Sequence, residues 1–176
     1  MTGVRDVLWT LRCLYFLANH AERVRDHADV LSLNIIANVK AGQGMTLTDA
    51  AQAEKAWARF NANFQDFFAD IDLLIVPGNA VSAFRIEDGI PKTVSGKPME
   101  NYVDASLVRS IITLSGHPVI AIPCGLDHLG LPFGIQIVGP RRGDKFLLEA
   151  ATQLENHLSR SPMTARPIPN LETLLA

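Results

Sequence analysis

Cysteine is nearly absent from this 176-residue chain: Cys13 and Cys124 are the only two. Two thiols cannot build a disulfide framework, and they suit a reducing compartment, which makes the cytoplasm the expected location. Nor is there an excess of either charge. Sixteen Lys and Arg stand against eighteen Asp and Glu, a net charge of -2 without a basic block, so neither nucleic acid nor an anionic membrane is an expected partner. No apolar run reaches the roughly 18 residues that a membrane span needs. "VLWTLRCLYFLA" is about as long as a signal-peptide core, but Arg12 interrupts it and no small-residue cleavage pattern follows, so it reads as a packed helix. There is no phosphate loop, because "AGQG" lacks the Lys-Ser/Thr ending, and there is no internal repeat.

What remains is an ordinary globular balance, 48% hydrophobic and 19% charged, sized for one domain spanning residues 1–176. The apolar content is high enough to call for a partner face, a homo-oligomer being one form of it.

Apolar residues at three-and-four spacing (Val7, Leu8, Leu11, Leu14, Tyr15, Ala18) predict a helix from residue 4 to about 40, with Arg25 placed to pair with Asp29 and with Gly42 and Gly44 as stops. A second helix follows, capped by Thr46 or Thr48 and ending near Asp70. Its buried stripe is expected to be Ala50, Ala53, Trp57, Phe60, Phe64, Phe67 and Phe68. Leu73–Val76, closed by Pro77 and Gly78, predicts a strand buried on both faces. Residues 78–100 form a loop longer than the usual limit of about 12–15 residues, which marks it as functional or disordered. A helix over 99–116, strands over 119–122 and 133–138, and a helix over 143–159 complete an α/β chain. On that last helix Phe146, Leu147, Ala150, Leu154 and Leu158 share a side, and a proline-rich tail from Ser161 is expected to lie along the surface.

Candidate chemistry is sparse. Cys124 with His117 or His128 has the composition of a thiol–imidazole pair, but the cysteine sits at a strand end and no third residue is set by spacing to orient the base. His117, Cys124, Asp127 and His128 match no zinc spacing, and His117 before Pro118 reads as part of the turn out of the helix. Asp70 with Asp72, and Glu87 with Asp88, read as a strand entry and a solvated turn rather than as acid–base pairs. No metal and no cofactor are expected.

One stretch is denser than the rest. "LSGHPVIAIPCGLDHLGLPFGIQIVGP" followed by "GDKFLLEAATQLE" closely resembles the C-terminal segment of the amidase signature family. The matching positions are Gly116, Pro118, Pro123, Gly125, Gly130, Leu131, Pro132, Gly134, Gln136, Ile137 and Gly139. "DLLIVPGNA" is similar to the family's Asp-Leu-Leu-Leu-x-Pro-Thr strand, with Gly78 and Asn79 where Thr and a small residue are usual. "ENYVDAS" resembles the segment leading the next helix, and the resemblance runs from about Ala21 to Leu158.

The resemblance implies part of a mixed-sheet α/β fold with helices packed on the sheet, in an enzyme that cleaves amide C–N bonds through a Ser–cis-Ser–Lys triad. This chain has no Gly/Ser-rich signature run and no lysine ahead of one, so no catalytic residue carries over. It resembles the closing third of such an enzyme, expected to be inactive alone, with a small-molecule amide as substrate of the complete protein. Pro77, Gly78, Asn79 and Asp104 are the candidates for lining the acyl pocket, beside turn-forming and helix-capping roles for the same residues. Two alternatives stand beside it: a free-standing non-catalytic dimerisation or binding module, and a self-sufficient cysteine hydrolase using Cys124.

Overall fold

The computed structural model describes residues 3–171. In chain order it contains α1 (Val4–His27), a 3-10 turn (Ala28–Val30), α2 (Leu33–Gln43), α3 (Leu47–Phe67), β1 (Leu74–Pro77), a second 3-10 turn (Ile86–Asp88), β2 (Thr93–Val94) and β3 (Lys97–Pro98). Then come α4 (Tyr102–Ala105), α5 (Leu107–Ser115), β4 (Val119–Leu126), β5 (Pro132–Val138) and α6 (Asp144–Leu158). The chain falls into two compact units, Met1–Phe64 and Gln65–Ala176. No helix among the described residues is long and apolar enough to cross a membrane.

In the first unit α1 and α2 pack on each other. The helix expected over residues 4 to about 40 is two helices, because Ser32 caps the second: its Oγ accepts from the Asn34 amide at 3.3 Å. Arg25 bonds the neighbouring Asp26 at 2.8 Å rather than the expected Asp29. Gly44 stops α2 as expected, but Gly42 lies inside it. A Cβ there would fall 2.6 Å from the Cys13 carbonyl oxygen, so the two helices approach closely only because residue 42 has no side chain. Val4, Val7 and Cys13 are the buried residues of α1, whereas Tyr15 is 62% exposed. Thr46 is the cap of α3: its hydroxyl accepts from the Asp49 amide, and the Asp49 carboxylate accepts from the Thr46 amide at 2.8 Å. On α3, Ala53, Phe60 and Phe64 are buried, while Phe67 of the expected stripe is largely exposed.

The second unit is built on an antiparallel sheet ordered β1-β5-β4. Ile75, Ile137 and Ile120 lie side by side across it, and Pro77, Ile135 and Ile122 form the next row but one. That face carries the core: Ile122 and Ile137 pack with Leu147 and Ala151 of α6, with Leu73, Ile120, Ile135, Leu154 and Leu158 around them. Phe146, expected on the inner side of α6, is 43% exposed, because the helix turns Leu147 and Ala151 inward instead. β1 is an edge strand and not the doubly buried one expected, with Ile75 52% exposed. The long loop is partly ordered, since β2 and β3 pair as a short hairpin within it. The helix expected over 99–116 breaks at Ser106, whose hydroxyl bonds back to the Val103 carbonyl at 3.0 Å.

Candidate functional site

The end of β1 is fixed by β5. Gly78 donates to the Gly134 carbonyl at 2.8 Å, and the Gln136 side chain donates through Nε2 to the Pro77 carbonyl at 3.2 Å. A Cβ at residue 78 would fall 2.7 Å from the Gly134 oxygen. The backbones therefore meet at van der Waals limits, and glycine at 78 is what the geometry requires. Pro77 closes an edge strand, where its missing N–H removes no ladder bond. Pro77, Gly78 and Asn79 are thus one contiguous lip, with Gly78 and Asn79 half-buried.

Asp104 sits in the first turn of α4. Its Oδ2 accepts from the Glu100 amide at 2.9 Å and from the Asn101 amide at 3.4 Å, while Asn101 Oδ1 accepts from Val103. This is a reciprocal capping box, and it gives Asp104 a helix-starting role. The four candidate lining residues therefore divide between a strand end and a helix cap.

The sulfur and imidazole groups have structural occupations. Burial pushes the Cys13 thiol up to about 11, against the smaller opposing pull of the Arg12 charge. It stays a thiol at neutral pH, 3.7 Å from Asn38 Oδ1. Cys124 is half-buried on β4. His117 is buried with its Nδ1 3.0 Å from the Gly139 carbonyl, its amide donating to Ser115 Oγ, and its ring stacked on Phe68 at 4.8 Å. It fixes the turn out of α5, as expected. Among the described residues no group of three or more His, Cys, Asp or Glu is gathered as a metal set.

Two features escaped the sequence reasoning. Asp127 organises the β4–β5 connection, accepting from Leu129 and Leu131 amides at 2.8 and 3.0 Å through Oδ1. The Leu131 amide first, and then the Ser82 hydroxyl from the long loop, hold its carboxyl below the usual range. The signal was present as an Asp two residues before the Leu129-Gly130 turn. The other feature is a cleft of about 300 Å³ lined by Gln65, Arg141 and Arg142. Nothing in the local pattern marked it, because α3 and the segment before α6 are far apart in sequence.

Comparison with known proteins agrees with this framework. The family model described as Amidase matches residues 17–148. A Glutamyl-tRNA(Gln) amidotransferase subunit from Halothermothrix orenii is 32% identical over 116 residues, covering 66% of this chain and 22% of the relative. The protein of that name from Synechococcus elongatus is 33% identical over 88 residues, covering 50% of this chain and 17% of the relative. This chain therefore spans about a fifth of the length of the curated relatives it matches. Among solved structures, "Crystal structure of amidase" superimposes with a TM-score of 0.79 at 20% identity, covering 89% of this chain and 36% of that one. A bacterial aryl acylamidase of the amidase signature family superimposes with a TM-score of 0.72 at 20% identity, covering 91% and 34%.

Proposed function

Because the chain belongs to the amidase family, we propose that it is the C-terminal segment of a single-domain enzyme that hydrolyses amide C–N bonds, its Ser–cis-Ser–Lys triad lying outside these residues. The observation that carries this reading is the lock between β1 and β5. Gly78 against Gly134, with Gln136 on the Pro77 carbonyl, holds Pro77–Asn79 as a rigid lip and offers no nucleophile of its own. In the complete protein that lip lines one side of the acyl pocket. Asp104 holds the start of α4 behind the long loop, as a positioning residue.

The chemistry proposed for the whole enzyme is acyl transfer. A serine oxygen adds to the amide carbonyl, whose electron pair moves to the oxygen and is held by backbone N–H groups. The amine leaves with a proton delivered through the second serine and lysine, and water then releases the acid. Transfer of the released ammonia to an acceptor is the variant suggested by the names of the relatives. A cytoplasmic setting is part of the same proposal, supported by two unpaired cysteines.

The test is ammonia release from simple aliphatic amides, aryl amides and glutamine by the purified 176-residue chain. No turnover above buffer is expected. Turnover that survives Cys124→Ala would overturn the placement of the nucleophile outside the chain, and turnover abolished by Cys124→Ala would make the chain a cysteine hydrolase.

A further inference from the structure

The turn between β5 and α6 holds two adjacent cations, one of them in a strained conformation. Gly143 donates to the Pro140 carbonyl at 2.9 Å, which closes a four-residue turn with Arg141 and Arg142 at its centre. Arg142 has a φ of 63°, in the left-handed region that turns usually give to glycine or asparagine. A side chain is strained there and glycine is not. Both arginines line the cleft of about 300 Å³ together with Gln65, and all three residues belong to the second unit. Among the described residues no hydrogen bond or carboxylate partner occupies either guanidinium.

Arg141 has a structural occupation as well. Its Nη2 lies 3.9 Å from where a Cβ of Gly116 would stand, at the end of α5, where the helix dipole favours a cation. Asp144 already supplies the negative charge that the start of α6 favours, so the cleft draws its character from the guanidiniums and the Gln65 amide. These donors define a ligand. A carboxylate is satisfied by the fork of one arginine, whereas two guanidiniums and an amide suit the three oxygens and double charge of a phosphate monoester. Two cations are too few for a nucleic-acid track, whose affinity accumulates over many phosphate contacts, and the chain has a net charge of -2 without a basic block. The cleft stands at the small end of ligand sites, with room beside a phosphate for a small organic group.

We propose that the Arg141–Arg142 turn, with Gln65, is a binding site for a small phosphate monoester, and that Arg142 is kept in its left-handed conformation for that contact. The strain at Arg142 then has a use that the turn alone does not give it, since Gly143 stands next in the chain and glycine would make the same turn at no cost. The site is independent of the amide-cleaving chemistry proposed for the complete enzyme.

The test is titration of the isotope-labelled 176-residue chain with inorganic phosphate and with glycerol phosphate, followed by nuclear magnetic resonance at constant ionic strength. Saturable shifts are expected at the Arg141 and Arg142 side-chain Nε–H signals and at the Gln65 side-chain amide. Acetate should bind about tenfold more weakly, having fewer oxygens to accept charged hydrogen bonds. Arg142→Gly separates the contact from the turn. It should bind phosphate about tenfold or more weakly, as loss of hydrogen bonds to a charged group does, while its urea midpoint stays equal or rises because glycine relieves the left-handed residue. An arginine kept only for the fold would give the reverse, unchanged binding with a lowered midpoint. Arg142→Lys keeps the charge and loses the planar fork, so its affinity should fall between the two. The site is overturned if the shifts do not saturate, if they lie away from the turn, or if Arg142→Gly binds phosphate as tightly as the parent chain. Its ligand class is overturned if acetate matches phosphate, or if a single-stranded oligonucleotide binds more tightly than glycerol phosphate.

Discussion

Gly78 shows how a single position couples two distant segments. Its neighbours in sequence are an apolar strand and a loop, but what constrains it is the Gly134 carbonyl oxygen, 2.7 Å from where a Cβ would stand. Gly78→Ala must push the strands apart or break the 2.8 Å bond between them. The expected cost is about 1–3 kcal/mol, the range for forcing an extra carbon into a packed site, read as a lowered midpoint in urea. An unchanged midpoint would mean that the β1 end is looser than this geometry. Cys124 and His117 make the opposite point. Their residue types suggested chemistry, while the structure gives His117 to a turn and leaves Cys124 half-buried on a strand.

Element boundaries were missed where serine acts on the backbone. The pattern predicted one helix to about residue 40 and one over 99–116, and each is broken beside a serine, Ser32 in the first and Ser106 in the second. A hydroxyl close to the main chain offers it a bond outside the helix ladder, and apolar periodicity carries no trace of that competition. Caps with an explicit partner were easier: Thr46 was one of two candidates for the start of α3 and is the one used. Thr46→Ala should destabilise the first unit by about 1 kcal/mol, as loss of a helix cap does, with a matching fall in helical signal during thermal unfolding. The buried stripes were only partly legible. The apolar faces of α3 and α6 were recognised, but which side chain turned inward depended on tertiary neighbours, and Phe67 and Phe146 were left outside.

At the scale of the molecule, stability should depend on acid through carboxylates such as Asp127, Asp49 and Asp26. Asp127 is held down by the Leu131 amide and then the Ser82 hydroxyl, Asp49 by the Thr46 amide and then its hydroxyl, and Asp26 by the Arg25 guanidinium. Each binds its proton less readily folded than unfolded. Their stabilisation is therefore fully present above the ordinary carboxylate value near ~3.9 and is lost as pH falls through the lowered folded values. The thermal midpoint should drop below about pH 4, and Asp127→Asn, which cannot titrate, should drop less steeply over the same range; equal slopes would remove Asp127 from this account.

The sequence by itself determined the class of the chain and its family. Period and turn residues are local properties, and the run from Gly116 to Gly139 preserves the spacing of prolines and glycines that an amidase framework needs. It also settled that no Gly/Ser-rich signature run is present. Only the tertiary structure decided that β1 is an edge, that Gly78 meets the Gly134 carbonyl, and that Asp104 serves as a helix cap. Those facts depend on which strand lies beside which. Strand pairing is set by contacts between residues some sixty positions apart, such as Gln136 and Pro77, and no local pattern records them.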